Sequence, residues 1–195
     1  MTAKSLLLKD FDDHARVVAA TRAAVESGFE ALVEACATSV SCGGKILFFG
    51  NGGSASDAQH LSTELVVRYV TDRAAIAALA LTTDTSALTA GANDLGFERI
   101  FARQIEALGR PGDVAIGLST SGKSPNVIKG LEEAKARGLT AVAMVGAHPD
   151  RVAPIADIVL SVPSSAANRI QEMHILIGHA LCGALERRLG LVEDR

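Results

Sequence analysis

Ile46-Leu47-Phe48-Phe49-Gly50-Asn51-Gly52-Gly53-Ser54 is the stretch that decides the fold. Four apolar residues run without polar alternation and then stop at a glycine. Such a run reads as a strand buried on both faces, as in a parallel sheet. Working downstream, similar runs recur at Ile76–Leu81, Val114–Leu118, Thr140–Val145 and Ile158–Val162. Helical spacing predicts helices between and after them, over Ser56–Tyr69, Phe97–Leu108, Pro125–Arg137 and Asn168–Leu189. Strands alternating with amphipathic helices imply an α/β protein with a doubly wound, five-stranded parallel sheet and right-handed crossovers. Working upstream, the first forty or so residues lack proline, and Phe11, Val17, Val18, Val25, Phe29, Leu32 and Val33 recur at roughly helical spacing until Gly43-Gly44. Residues 1–42 are therefore expected to form N-terminal helices appended to an α/β sandwich over 43–195, the whole 1–195 being one domain.

Composition narrows the function. The chain has 195 residues, 48% hydrophobic and 21% charged, with a formal net charge of −3. This reads as globular, with no basic footprint for nucleic acid. An anionic small ligand stays open, because backbone N–H groups and hydroxyls bind phosphate without net positive charge. Cys36, Cys42 and Cys182 form no CxxC pair, so neither a disulfide framework nor a cysteine zinc site is expected. No stretch approaches a membrane span, and Leu6-Leu7-Leu8 is too short for a signal-peptide core, so the expected location is the cytoplasm.

Two small-residue loops follow the first and third strands. If the strand order is the flavodoxin-like 2-1-3-4-5, those strands are neighbours and the loops face each other across one crevice. In Ser119-Thr120-Ser121-Gly122-Lys123-Ser124-Pro125, four hydroxyls precede a helix whose free N–H groups favour an anion. A cap and a turn would need one or two of them. Pro125 suits the first helical turn. The pattern is not a P-loop, which argues against nucleotide hydrolysis. Gly50-Asn51-Gly52-Gly53-Ser54 allows close backbone approach to a ligand. Ala55 stands at the last position of a would-be GxGxxG, and no acid ends the second strand, which argues against a dinucleotide.

Next to the first loop, His60 and Glu64 are four apart and share a helix face, with Asp57 and Arg68 extending the stripe. On the last helix, Gln171 and His179 are eight apart, with His174 between them. A solvated helix face or a satisfied core histidine explains any one of these. Together they offer imidazoles, a carboxylate and an amide, a shell that a divalent ion accepts. Spacing alone does not decide between these readings. Asp84, Asn93 and Asp94 follow the second strand and read either as turn and cap residues or as contacts to sugar hydroxyls.

The pieces GNGGSASDAQHLSTEL (50–65), LTTDTSALTAGANDLGFE (81–98), STSGKSPNV (119–127) and RIQEMHILIGH (169–179) together resemble the sugar isomerase (SIS) domain family, and within it the phosphoheptose isomerases. The resemblance covers nearly the whole chain; STSGxS marks the wide superfamily, whereas Hx3E and Qx7H are narrower. It implies an aldose–ketose isomerase that converts D-sedoheptulose 7-phosphate to D-glycero-D-manno-heptose 7-phosphate through an enediol, the first step toward lipopolysaccharide heptose. It implies a homotetramer with sites built between subunits, and one Zn²⁺ per subunit held by positions matching His60, Glu64, Gln171 and His179. Glu64 and His179 match the acid–base positions. Asn51, Gly52, Gly53, Ser54, Glu64, Asn93, Asp94, Ser119, Thr120, Ser121, Ser124 and Gln171 match substrate-binding positions. Some relatives carry Asp where this chain has Asn168, so that position is given no role. Two competitors remain: a non-enzymatic relative that assists a replication initiator, in which the Glu and second His are replaced, and an SIS enzyme acting on hexose phosphates.

Overall fold

The computed structural model describes residues 2–193; Met1, Asp194 and Arg195, the ends of the expected domain, lie outside them. One helix, α1 (Ala3–Ser41), replaces the expected N-terminal helices. At 1.5 Å per residue it is about 58 Å long. Nothing in 3–41 breaks it, and Thr2 caps its start by accepting the Ser5 N–H. Val17, Thr21, Val25, Leu32 and Cys36 fall on one face and are buried, packed with α6 and β5. Leu6, Leu7, Leu8 and Phe11, nearer its start, are exposed.

The sheet contains β1 (Ile46–Gly50), β2 (Ala78–Ala80), β3 (Val114–Ser119), β4 (Thr140–Val145) and β5 (Ile158–Ser161). All pairings are parallel, and the order is β2-β1-β3-β4-β5, as assumed from the sequence. The helices are α2 (Gly53–Val66), α3 (Thr85–Leu95), α4 (Ile100–Leu108), α5 (Pro125–Ala136) and α6 (Ala167–Arg188). Alternation along β1 sends its side chains into two cores. Ile46 and Phe48 pack with α1, α2 and α6; Leu47 and Phe49 pack with α4 and α5. Each fully buried Phe or Leu contributes about 2 kcal/mol of apolar transfer.

Two elements depart from the sequence reading. The second strand keeps only three of its six expected residues, because β2 is an edge strand with one neighbour. The stretch after it, read as turn and cap residues or as sugar contacts, is a helix, α3. Asp84 caps that helix by accepting the Ala87 N–H at 2.9 Å. Four residues in eleven of α3 are Thr, Ser or Asn, which compete with the helical backbone when isolated and hid its periodicity.

Candidate active site

Parallel register decides where the loops lie. Gly50 at the end of β1 pairs with Leu118 near the end of β3, so the chain leaves both strands side by side at the carboxyl end of the sheet. The second loop turns at Gly122, whose φ of +64° and contact with the His148 carbonyl oxygen exclude a side chain. Ser124 sits at the N-cap of α5 yet makes no capping bond. Its hydroxyl instead accepts from Ser119 at 3.1 Å, while the Ser121 hydroxyl accepts the Lys123 N–H at 3.1 Å. A helix N-terminus with an unused cap and clustered hydroxyls is suited to an oxyanion.

A residue missed in the sequence joins the two loops. Asn51 and Asn126 exchange amide hydrogen bonds, both 2.8 Å, and the same Asn126 oxygen accepts the Val127 N–H at 2.9 Å. Asn126 is buried. Nothing in its sequence neighbourhood marks it, and only the fold brings Asn51 to it. Gly52 and Gly53 lie exposed at the start of α2. Ser54 is buried against Gly50, and Ser119 is also buried, whereas Gly52, Gly53, Ser121 and Lys123 are exposed and Asn51, Thr120 and Ser124 half-buried.

Beside the loops, α2 packs on α6, with Leu61 occupying the space a side chain at Gly178 would fill. This close approach brings three expected residues together. His60 Nε2 lies 2.9 Å from His179 Nε2 and 3.2 Å from Glu64 Oε1. One donor atom from each of the three falls within 4.8 Å of the others. Two imidazole nitrogens and a carboxylate oxygen at these separations are a donor set that fits Zn²⁺, which in catalytic sites takes three protein ligands and an open position. Without an ion, one imidazole must donate to the other.

Gln171 is placed differently. Its terminal amide rests against Gly53, where a side chain would collide with it, seven residues before His60. Gln171 and His179 stand about 12 Å apart along the axis of α6. The structure therefore sets Gln171 beside the first loop and the other three expected ligands in a compact trio. Asp57, three residues before His60, is half-buried; burial pushes its pKa up to about 6, and the nearby His60 offsets part of that. Arg68 leaves the stripe, because α2 ends at Val66 and Arg68 pairs with exposed Asp72 at 2.7 Å. Asn93 and Asp94 lie exposed near the end of α3, bonded to each other at 2.7 Å; α3 packs on α4 and on the 3-10 turn Phe97–Arg99. Asn168 is exposed. His174 is buried on the core side of α6.

Residues 11–146 match the family model of the SIS domain. The chain is 58% identical over 186 residues to the phosphoheptose isomerase of Paramagnetospirillum magneticum, covering 95% of this chain and 97% of that one. Among solved structures, it is similar to the phosphoheptose isomerase of Neisseria gonorrhoeae, with a TM-score of 0.90 at 39% identity, covering 95% of this chain and 100% of that one. The phosphoheptose isomerase of Francisella tularensis gives a TM-score of 0.92 at 33% identity, covering 96% and 100%. A chain with this sheet order, these two loops and this His–Glu–His trio, and with relatives so similar over nearly its full length, belongs to the SIS-domain family and, within it, to the phosphoheptose isomerases.

Proposed function

We propose that this chain interconverts D-sedoheptulose 7-phosphate and D-glycero-D-manno-heptose 7-phosphate, the step that starts lipopolysaccharide heptose synthesis. The observation that carries the reading is the convergence of His60, Glu64 and His179 beside the two strand-end loops. Ser121, Ser124 and Thr120, with the α5 N-terminus, hold the phosphate; Ser119 supports Ser124 from below. Anchoring one end of an open-chain sugar fixes where its other end reacts. Gly52, Gly53 and Gln171 line the path between the loops and the trio, and Asn51 shapes that path through its bond to Asn126. Asn93 and Asp94 belong to the substrate set by resemblance alone.

The reaction removes a proton from C1 of the ketose, shifts a proton from O1 to O2, and returns a proton to C2. Glu64 and His179 share these transfers, one as base at carbon and the other as acid at oxygen. A Zn²⁺ ion, one per subunit, held by His60, Glu64 and His179 with Gln171 as the fourth family position, would supply Lewis-acid polarisation of the carbonyl. Ligation would weaken both groups as bases, but a carboxylate bound through one oxygen keeps its second oxygen free. An imidazole bound through Nε2 keeps no free acceptor on that side, which favours Glu64 for the carbon proton.

The resemblance also supports a homotetramer with sites completed between subunits. The exposed Leu6, Leu7, Leu8 and Phe11 of α1, Val66 at the end of α2, and Val67 and Val70 after it are apolar surface suited to such contacts. Residues 1–195 are read as one domain, because α1 shares its core with β5 and α6. Cys36, Cys42 and Cys182 are all free, which fits a reducing compartment such as the cytoplasm. Among the described residues, no helix is long and apolar enough to cross a membrane. The test is direct: purified, metal-replete protein is mixed with sedoheptulose 7-phosphate and the product followed by NMR, with and without chelator. Aldose phosphate is expected; no turnover would remove the function and leave the fold intact.

A further inference from the structure

The trio is held from behind by residues that touch none of its reacting atoms. Tyr69, three residues beyond the end of α2, stacks its ring on the imidazole of His179, with centroids 5.5 Å apart and planes 27° from parallel. His179 also meets His60, with centroids 5.0 Å apart and planes 58° from parallel. His179 thus has two ring neighbours, one that shares its chemistry and one that does not. Tyr69 is itself fixed. Its ring lies against Gly183, one turn along α6 from His179, and its backbone N–H points to Glu186 Oε1 at 3.4 Å.

Glu186 is the centre of a second arrangement. It pairs with Arg73 at 2.9 Å, and both side chains are almost fully buried, at 3% and 0% exposed. Arg73 donates to the last turn of α2, with one bond to the Leu65 carbonyl and one to the Glu64 carbonyl, each 2.7 Å, and also to the Ala74 carbonyl at 3.1 Å. A buried guanidinium capping two helix-end carbonyls restrains the backbone of Glu64. One carboxylate on α6 therefore holds both the end of α2 that carries Glu64 and the segment that carries Tyr69.

We propose that Tyr69 is a positioning residue for His179, set in place by the buried Arg73–Glu186 pair, which also fixes the backbone of Glu64. The ring blocks rotation of the imidazole away from His60 and Glu64 and keeps its Nε2 aimed into the trio. The inference rests on the isomerase reading of His60, Glu64 and His179. Partners behind metal-ligating and proton-transferring imidazoles typically matter by about 10–100-fold in metal affinity or activity.

The test compares wild type, Tyr69→Leu and Tyr69→Phe, because removing Arg73 or Glu186 singly would strand a buried charge and threaten folding. Turnover of sedoheptulose 7-phosphate is measured beside Co²⁺ affinity from its visible absorption. Tyr69→Leu is expected to lower kcat and Co²⁺ affinity each by about tenfold, with KM within about threefold, since the phosphate loop is untouched. Tyr69→Phe keeps the stacked ring and is expected to recover most of both losses. Unchanged kcat and metal affinity in Tyr69→Leu would overturn the inference, as would a loss confined to KM or a Tyr69→Phe as impaired as Tyr69→Leu. Wild-type protein that neither turns over substrate nor binds Co²⁺ would instead overturn the isomerase reading, and the inference with it.

Discussion

The strand-end loops and the α2–α6 pair meet at one site but are built by opposite means. The loops are backbone devices: Gly122 turns where no other residue fits, Ser124 leaves its cap unmade, and Asn51 with Asn126 ties one loop to the other. The helix pair is a side-chain device, in which helical spacing and the contact at Gly178 converge His60, Glu64 and His179. Backbone N–H groups recognise any phosphate at a helix N-terminus, so the loops fix a ligand class. An imidazole–carboxylate trio moves protons, so the helices fix the reaction. Changes in the helix half should therefore strike kcat, and changes in the loop half should strike KM.

The largest effect is expected from Glu64→Gln. It keeps size and hydrogen bonding but removes the base, so kcat should fall by about 10³-fold, with KM within about threefold. NMR-followed turnover and saturation curves check this. Substantial residual turnover would move the carbon base elsewhere, with half-buried Asp57, which interacts with His60, the carboxyl to test next. Metal removal comes next. Dialysis against a chelator should lower turnover by about 10²-fold, with recovery on adding Zn²⁺. Full activity after verified metal loss would make the trio a metal-free acid–base set.

The two halves also differed in how far the sequence revealed them. The strand order was assumed, and His179 joined the set through the family resemblance. The strands, the loop positions and the shared face of His60 and Glu64 followed from apolar runs, small-residue loops and four-residue spacing. These are local patterns, and parallel register carries them into space without side-chain detail. What escaped was contact between distant segments. Asn126 meets Asn51 from 75 residues away, and Glu186 meets Arg73 from 113 residues away. Neither pair has a spacing that marks it. Gln171 shows the same limit in reverse. Its eight-residue separation from His179 amounts to about 12 Å along an ideal helix axis, and only the fold shows its amide resting against Gly53. Helix α3 was hidden for a different reason: none of its residues is fully buried, and its core-facing side offers only a thin stripe at Leu88 and Ala92.

In the loop half, Ser121→Ala combined with Ser124→Ala should raise KM by about tenfold and change kcat by less than threefold. A fall confined to kcat would show that the phosphate loop takes part in the reaction step. Asn126→Ala should act more weakly on substrate and more visibly on folding. It strands the Asn51 amide and the Val127 N–H, at about 1–3 kcal/mol, read as a lower denaturant midpoint. KM should rise only a few-fold, since the first loop loses its tie but keeps its glycines.

The smallest effect concerns a histidine of α6 that belongs to neither half. His174 lies five residues before His179, turned into the core, and burial pushes its pKa down to about 4, partly offset by the Val145 backbone. Its folded pKa is below the ordinary value near 6.5, so between pH 6.5 and 4 the unfolded chain holds the extra proton. Stability should therefore fall as pH drops through that window and level off below it, by at most about 3 kcal/mol from this group. Carboxylates also lose stability in acid, so the comparison must be of slopes. His174→Leu should flatten the decline in Tm between pH 6.5 and 4.5 relative to wild type, while kcat at neutral pH stays within about threefold. An unchanged slope would mean that His174 finds a proton partner in the folded core; a large loss of kcat would make the core side of α6 part of the catalytic half.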